Sequence, residues 1–265
     1  DLFCKMEEEE SHLKPDKHVY IATLKACSNM LCLRQGKIIH SCIIKNGFEC
    51  DVFVRSILID MYSKCNLIND ARVVFDSSEI KDIVLWNALI GGYAQQGQGH
   101  EALNCFERIQ NEGLCPNDVT FLSVLCACSH SGLVNETRTL FENMTMNYGI
   151  TPNLKHHTCM VVVFGFEGQF DNAISVIKVM PSASSSSSSS SHADDDPSVW
   201  LALLNACRKW GNVKLGRLAF DQAIQLDCSC AAAYVFMANI FTAAGMQEDA
   251  ESVEAMKFKY AGSST

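Results

Sequence analysis

This chain is built from repeats. Two short segments, residues 24–28 and 125–129, read Leu-Lys-Ala-Cys-Ser and Leu-Cys-Ala-Cys-Ser, and they begin 101 residues apart. That distance equals the combined length of three units of 35, 31 and 35 residues, which can be recognised independently in the sequence between them. Repeats of this period are typical of helical hairpins that stack on one another into a solenoid.

Each unit shows the same three positions in the same order. A turn residue is followed five residues later by a small one, and four residues after that by a bulky apolar one. Apolar residues at helical spacing on both sides of the turn indicate two short amphipathic helices, which need neighbouring units to bury their faces. We therefore predict an all-α solenoid of helix-turn-helix repeats. The turn residues are Asn66, Gly97, Gly132 and Gly168, the small residues are Ala71, Ala102, Thr137 and Ala173, and the bulky residues are Phe75, Phe106, Phe141 and Ile177.

The composition narrows the class of protein. No apolar run approaches the roughly 20 residues of a membrane-spanning helix, and the first residues lack a secretory signal, so we expect a soluble protein with no membrane partner. Most of the fourteen cysteines fall inside predicted helices, at repeat-equivalent places such as Cys27, Cys128 and Cys207. This placement indicates small buried thiols in a reducing compartment. The net charge of −9 argues against nonspecific binding of nucleic acid, although residues 17–75 carry an excess of basic side chains.

The sequence offers no convincing metal, cofactor or catalytic site. His156, His157 and Cys159 are the nearest cluster of metal-binding residue types, but adjacent histidines point to different faces of a helix. No nucleophile with its base and no glycine-rich phosphate loop can be recognised. We therefore predict that the chain is not an enzyme and takes no metal, cofactor or small-molecule substrate.

The repeats divide the chain into consecutive segments. Residues 1–16 have the character of a second helix and predict the end of an earlier repeat. A serine-rich tract and the acidic residues after it predict a flexible surface loop at 182–196, and the helical pattern then returns. The predicted segments are a partial repeat at 1–16, complete repeats at 17–51, 52–82, 83–117, 118–153 and 154–196, and two further hairpins at 197–261.

The repeated segments resemble one known family closely. As a set they are similar to the plant pentatricopeptide repeat (PPR) proteins of the subclass with alternating long, short and standard repeats. The resemblance implies a right-handed superhelix similar to tetratricopeptide repeat arrays. It identifies 17–51 and 118–153 as long repeats, 52–82 and 154–196 as short repeats, and 83–117 as a standard repeat. The matching segments are residues 24–27, 36–40, 45–48, 51–54, 58–65, 70–76, 86–90 and 127–134.

The last two hairpins are similar to the E-type extension that follows the repeats in the RNA-editing branch of this family. Matching positions lie within residues 199–216 and 234–250. The deaminase domain of some relatives needs an H-x-E and a downstream P-C-x-x-C to hold zinc, and neither occurs here. The resemblance therefore implies that the extension recruits a deaminase-bearing PPR protein, or another protein of the editing complex, in trans.

In this family each repeat contacts one base of single-stranded RNA. One contacting residue lies near the start of the first helix and the other is the last residue of the repeat. The resemblance implies that Asn87 and Asn117 read a pyrimidine, with cytosine favoured over uracil, because amides both donate and accept hydrogen bonds. It also places Phe53, Val84 and Val119 between successive bases, where apolar side chains stack.

The same transfer assigns four more pairs. Ser56 with Asp82, and Thr158 with Asp196, each combine a hydroxyl with a carboxylate, which suits guanine because its ring N–H and amino group need acceptors. Ser185 is an alternative to Asp196 as the last residue of the fifth repeat. Two pairs contain an apolar residue and are expected to be weak readers or spacers; they are Ile21 with Asp51 and Leu122 with Asn153.

The resemblance thus predicts sequence-specific binding of single-stranded RNA in a mitochondrion or chloroplast and selection of sites for C-to-U editing. Two alternatives remain open. One is a scaffold that binds other proteins as tetratricopeptide arrays do, which the acidic net charge and the apolar residues at two reading positions favour modestly. The other is a factor for the stability or splicing of organellar RNA without editing.

Overall fold

The structure is a computed structural model that describes residues 15–180 and 196–260. Within these residues it contains fourteen α-helices and no strand, which confirms the predicted all-α fold. The chain divides into two compact units, unit 1 at residues 1–131 and unit 2 at residues 132–265. The predicted partial repeat at 1–16 and the predicted serine-rich loop at 182–196 lie outside the described residues, except for their last residues 15–16 and 196.

Unit 1 is a stack of helical hairpins. Its odd-numbered helices, which open the repeats, pack in a row, and each even-numbered helix packs on the two odd-numbered helices beside it. The N-terminal turns of successive first helices are therefore neighbours. In the described part of unit 1 the helices are α1 (Lys17–Asn29), α2 (Leu33–Lys45), α3 (Val52–Lys64), α4 (Ile68–Asp76), α5 (Ile83–Gln95), α6 (Gly99–Asn111) and α7 (Asp118–His130).

Unit 2 has the same kind of architecture within itself. Helices α9, α11 and α13 pack in a row, with α10, α12 and α14 against them, around one apolar cluster that reaches from Met160 to Val253. The two hairpins predicted after residue 197 are both present. In its described part the helices are α8 (Val134–Met146), α9 (Leu154–Phe166), α10 (Phe170–Val179), α11 (Ser198–Trp210), α12 (Val213–Leu226), α13 (Ala231–Ala243) and α14 (Gln247–Tyr260).

The repeated turn and small-residue positions have the structural roles that the pattern predicts. All four turn residues have left-handed backbone angles, with φ between 63° and 71°, a conformation that glycine and asparagine adopt most readily. The four small residues have no exposed surface. A small side chain at these places lets the second helix of a hairpin approach its neighbours closely. The small residues concerned are Ala71, Ala102, Thr137 and Ala173.

Each first helix of the repeats begins at an acidic or amide side chain that caps it. At α5, for example, Oδ1 of Asp82 accepts the backbone N–H groups of Val84 at 3.1 Å and Leu85 at 3.0 Å. Such caps satisfy N–H groups that have no partner within the helix, and each stabilises the fold by about 1 kcal/mol. The capping residues of α1, α3, α5, α7 and α9 are Asp16, Asp51, Asp82, Asn117 and Asn153.

The cysteines at equivalent places of the repeats are buried, as predicted: Cys27, Cys128 and Cys207 are at most 5% exposed. Burial raises the pKa of Cys207 to about 12, so its thiol stays protonated and unreactive at neutral pH. Of the helices in the described ranges, none has both the length and the apolar character needed to cross a bilayer.

Candidate nucleic-acid interface

The structure brings Asn87 and Asn117 together. Asn87 lies in the first turns of α5, and Asn117 caps α7, which packs beside α5. The side-chain nitrogen of Asn87 donates to Oδ1 of Asn117 at 3.2 Å. Both residues are half-buried, so the linked pair is neither turned apart nor sealed inside the core.

A third residue, Thr120, completes this cluster. Its hydroxyl oxygen lies 2.7 Å from Oδ1 of Asn87 and 2.9 Å from Oδ1 of Asn117. Its backbone N–H donates to Oδ1 of Asn117 at 3.0 Å, and the backbone N–H of Asn117 donates to the Thr120 hydroxyl at 3.1 Å. Thr120 has no exposed surface. We call Asn87, Asn117 and Thr120 the amide cluster.

The hydrogen bonds determine how both amides are oriented. A backbone N–H can only donate, so the atom of Asn117 that faces the Thr120 N–H is its carbonyl oxygen. That oxygen in turn requires Asn87 to present its amino group. Within the described residues the groups without a protein partner are one N–H of Asn87 and both N–H groups of the Asn117 amide. The cluster can offer these donors, and the Asn87 carbonyl, to a ligand.

The second predicted pair, Ser56 with Asp82, is not joined by a hydrogen bond within the described residues. Ser56 is 8% exposed, and its hydroxyl donates to the backbone oxygen of Phe53 at 2.8 Å. Asp82 uses Oδ1 to cap α5 and leaves Oδ2 available. The Ser56 hydroxyl can therefore only accept a further bond, as can Oδ2 of Asp82.

The third predicted pair shows similar local bonding. The Thr158 hydroxyl donates to the backbone oxygen of Leu154 at 2.9 Å, within α9. Oδ1 of Asp196 accepts the backbone N–H of Ser198 at 2.8 Å, at the start of α11. The roles of Thr158 and Asp196 in reading a base stay predictions, while Ser185 lies outside the described residues.

In the two pairs that are expected to read RNA weakly, the last residue of the repeat is bonded to groups outside the pair. Asp51 caps α3 and forms an ion pair with Lys17 at 3.3 Å. Burial raises the pKa of Asp51, but hydrogen bonds from the Val54 backbone and from Lys17 outweigh it and hold the pKa below its usual value. Asn153 caps α9, and its backbone N–H donates to Nδ1 of His156 at 3.2 Å.

The predicted stacking residues are exposed. Phe53 is 63% exposed, Val84 37% and Val119 50%. Each is the second residue of its helix and lies two residues after the capping residue. Apolar side chains therefore remain exposed at the same place in three consecutive first helices, and their stacking on bases stays a prediction.

Sequence reasoning missed the capping role of the last residue of each repeat, and it missed Thr120. A signal for both was present. Aspartate or asparagine directly before an apolar helical pattern is typical of an N-cap. Threonine three residues after Asn117 has the spacing of a capping box, in which cap and third residue bond each other.

The region of the amide cluster matches known repeat models. A model of the PPR repeat family matches residues 81–130, and a second model, of the PPR repeat, matches residues 119–147. Residues 81–147 of this chain therefore match the pentatricopeptide repeat pattern. The first match spans α5, α6 and α7, so the amide cluster lies within residues that follow the PPR pattern.

Longer PPR proteins are similar to nearly the whole chain. A mitochondrial PPR-containing protein of Arabidopsis thaliana is 38% identical over 93% of this chain and 26% of its own length. The chloroplastic PPR-containing protein CRR2 of the same plant is 35% identical over 95% of this chain and 37% of its own length. The chain thus spans about a quarter to two fifths of these relatives. The similarity supports a plant PPR protein.

The fold is also shared with a solved PPR protein. The crystal structure of PPR10 in complex with an 18-nt psaJ RNA element covers 100% of this chain and 43% of PPR10, with a TM-score of 0.60 and 14% sequence identity. At that identity the likeness concerns the fold alone, and it agrees with the predicted stacking of helix-turn-helix repeats.

Proposed function

We propose that this chain binds single-stranded RNA and that Asn87 and Asn117 together read one nucleotide. The hydrogen-bonded arrangement of the two amides supports this proposal most strongly. Because the cluster is already ordered by Thr120, binding a base requires little further loss of conformational entropy. PPR10, a protein of similar fold, has been solved with RNA, which agrees with this class of ligand.

Cytosine is the base whose edge fits the available groups best. The hydrogen bonds run from Thr120 to Asn87 and from Asn87 to Asn117. In this order the amide cluster offers one acceptor, the Asn87 carbonyl, and then two donors, an Asn87 N–H and an Asn117 N–H. Cytosine presents its amino group, N3 and O2, in the complementary order donor, acceptor, acceptor. Uracil presents acceptor, donor, acceptor and matches only one of the three groups in that register. The proposal therefore assigns cytosine, ahead of uracil, to the repeat at 83–117.

Two further repeats are proposed to read guanine. Ser56 and Thr158 donate their hydroxyl protons to their own helices, so each presents an oxygen that accepts. Oδ2 of Asp82 is a second acceptor in the repeat at 52–82, and Asp196 has the same place in the repeat at 154–196. Guanine offers the donors that such acceptors need, in its ring N–H and amino group. Phe53, Val84 and Val119 are proposed to lie against base faces.

We also propose that the protein acts on transcripts in a mitochondrion or chloroplast and selects sites for C-to-U editing. Its relatives include proteins named as mitochondrial and as chloroplastic, which supports an organellar location without choosing between the two. In this proposal the repeats bind RNA, while the hairpins α11–α14 bind a deaminase-bearing PPR protein or another editing-complex protein. The chain itself acts as a binding protein and not as an enzyme.

A mobility-shift titration tests RNA binding. The chain is mixed with single-stranded RNAs that differ only in the nucleotide opposite the repeat at 83–117, and we expect preference for cytosine. The double variant Asn87→Ala, Asn117→Ala should lose that preference. Asn153→Ala is the matched control, because it also removes an asparagine cap but leaves the amide cluster intact.

The dependence of affinity on salt concentration distinguishes RNA binding from the alternative function, a scaffold that binds other proteins. Affinity for RNA should fall steeply with ionic strength, by about 0.7 logarithmic units per phosphate contact for each tenfold rise in salt. An apolar groove that binds peptides should change little. Equal affinity of wild type and double variant for all four bases would contradict the proposed reading, and recovery of protein partners without any RNA would favour the scaffold.

A further inference from the structure

We propose that Thr120 is a positioning residue that determines how strongly the repeat at 83–117 discriminates between bases. Thr120 belongs to the following repeat, and it is completely buried, so it acts through Asn87 and Asn117 without touching RNA. The inference rests on the proposed RNA binding and deepens it, because it names what holds the reading groups in place.

The hydroxyl proton of Thr120 is directed at Asn87. Oδ1 of Asn117 already accepts two N–H bonds, from the Thr120 backbone at 3.0 Å and from Asn87 at 3.2 Å. Oδ1 of Asn87 accepts no other bond within the described residues and lies closest to the hydroxyl, at 2.7 Å. The amide of Asn87 is therefore held at both ends, by Asn117 at its nitrogen and by Thr120 at its oxygen.

Hydrogen bonds at both Oδ1 and Nδ2, together with the covalent bond to Cβ, fix the plane of the Asn87 amide more tightly than a bond at Nδ2 alone. Without the hydroxyl, the Asn87 side chain can turn about its remaining bond to Asn117. The order of acceptor and donors presented to a base is then no longer constant, and cytosine loses part of its advantage over uracil. Loss of one such hydrogen bond corresponds to a change of roughly threefold to tenfold in an equilibrium.

Two other repeats have an apolar side chain in place of the hydroxyl. Val54 and Leu85 stand three residues after the caps Asp51 and Asp82, and both are apolar and buried. Neither side chain can bond a reading residue of the preceding repeat. The predicted pair Ser56 with Asp82, which is followed by Leu85, is accordingly not joined within the described residues. Among the predicted pairs of described residues, Asn87 with Asn117 is the pair whose side chains are joined by a hydrogen bond, and it is the pair followed by Thr120.

The test is selection of RNA from a randomised single-stranded pool by wild type, Thr120→Val and Thr120→Ser. Sequencing of the bound RNA gives the base frequencies at every position, and the Asn87→Ala, Asn117→Ala double variant identifies the position read by the cluster. Valine keeps the shape of threonine but lacks the hydroxyl, whereas serine keeps the hydroxyl. Thr120→Ala is a second variant without the hydroxyl, in case valine perturbs folding.

Thr137→Val is the matched control. Thr137 is also completely buried, and its hydroxyl donates to the backbone oxygen of Leu133, the N-cap residue of α8, and not to the amide cluster. Thermal unfolding of each variant, followed by circular dichroism, shows whether a change in selection reflects lost stability. Thr120→Val and Thr137→Val should both lower stability, but Thr120→Val alone should change the base frequencies.

We expect the ratio of cytosine to uracil at the identified position to fall roughly threefold to tenfold in Thr120→Val and Thr120→Ala. It should stay near the wild-type ratio in Thr120→Ser and Thr137→Val, and the other selected positions should not change. An unchanged ratio in folded Thr120→Val and Thr120→Ala would overturn the role of Thr120 while leaving RNA binding intact. A wild type that selects no base at any position would overturn the proposed function itself.

Discussion

The first helices of the repeats and the first helix of the last hairpin begin in different ways. In the repeats, α1, α3, α5, α7 and α9 each start at an aspartate or asparagine whose side chain bonds backbone N–H groups. The last hairpin starts with α13, and its N-cap residue, Cys230, makes no such side-chain bond. At α11, between the two groups, Asp196 still accepts the N–H of Ser198.

The capped helices show how one side chain can cap a helix and still keep a polar group for a base. A capping aspartate uses one carboxylate oxygen for the helix and keeps the other, as Asp82 does. A capping asparagine keeps its amino group, as Asn117 does. Capping and base reading are therefore compatible in one side chain. The proposed RNA-reading positions end at Asp196, and the proposed protein-binding hairpins begin at α11, whose N-cap residue, Pro197, makes no side-chain capping bond.

The largest expected effect concerns the tryptophans of the two regions. Trp86 in α5 has no exposed surface, lies 4.6 Å from the Phe75 ring and has the Arg108 guanidinium 4.8 Å above it. Trp86→Ala should lower the free energy of unfolding by about 3–5 kcal/mol. Trp210, at the end of α11, is 52% exposed and donates to the Gly165 oxygen. Trp210→Ala should cost about 1–2 kcal/mol.

Urea unfolding followed by far-ultraviolet circular dichroism measures both tryptophan variants. Equal losses would show that the last hairpins depend on their exposed aromatic residue as much as the repeats depend on a buried one. In that case the contrast between the two regions in packing would be wrong.

A smaller effect tests the caps directly. Asp82→Ala removes the side chain that caps α5 and should destabilise the protein by about 1 kcal/mol. Cys230→Ser offers a new capping oxygen at the start of α13, so it should raise stability by several tenths of a kcal/mol. Thermal melts at one protein concentration compare the two. If both variants changed stability in the same direction, capping would not distinguish the regions.

The smallest effect is a pH dependence at Asp51. Its pKa in the folded protein lies below the unfolded value of about 3.9, because the Val54 N–H and Lys17 outweigh the effect of burial. A lowered pKa contributes stability above the unfolded value, and that contribution disappears as the pH falls through the folded value. Asp51→Asn keeps a cap but loses the ion pair, so it should be less stable by under about 1 kcal/mol at pH 7.

The difference between wild type and Asp51→Asn should therefore shrink as the pH is lowered from 5 towards 2, in melts recorded at constant low salt. A difference that stays constant over this range would mean that the carboxylate of Asp51 is not stabilised by Lys17 and the helix start.

Much of the fold could be predicted from sequence because the same types of residue recur at equivalent positions of the repeats. Gly97, Gly132 and Gly168 recur at the turns, and buried alanines such as Ala71 and Ala102 recur at the close approaches. Backbone geometry and helix packing leave few other residues that fit there. The boundaries of the repeats stay predictions.

The candidate site could be predicted only in part. Family positions pointed to Asn87 and Asn117, which the structure places in contact, but they gave no reason to consider Thr120. Nor could they tell that the Ser56 and Thr158 hydroxyls bond their own helices. A short hydroxyl side chain chooses among nearby carbonyl groups and distant partners, and that choice depends on packing that a sequence pattern does not contain.

The proposed reading of RNA depends most on direct contact between the linked amides and one base. A double-mutant cycle measures this contact, by combining Asn87→Ala with a cytosine-to-uracil change in the RNA opposite the repeat at 83–117. We predict that wild type prefers the cytosine RNA by about tenfold, which corresponds to roughly 1.4 kcal/mol, and that Asn87→Ala binds both RNAs equally. The same preference for cytosine in wild type and in Asn87→Ala would contradict direct reading of the base by Asn87.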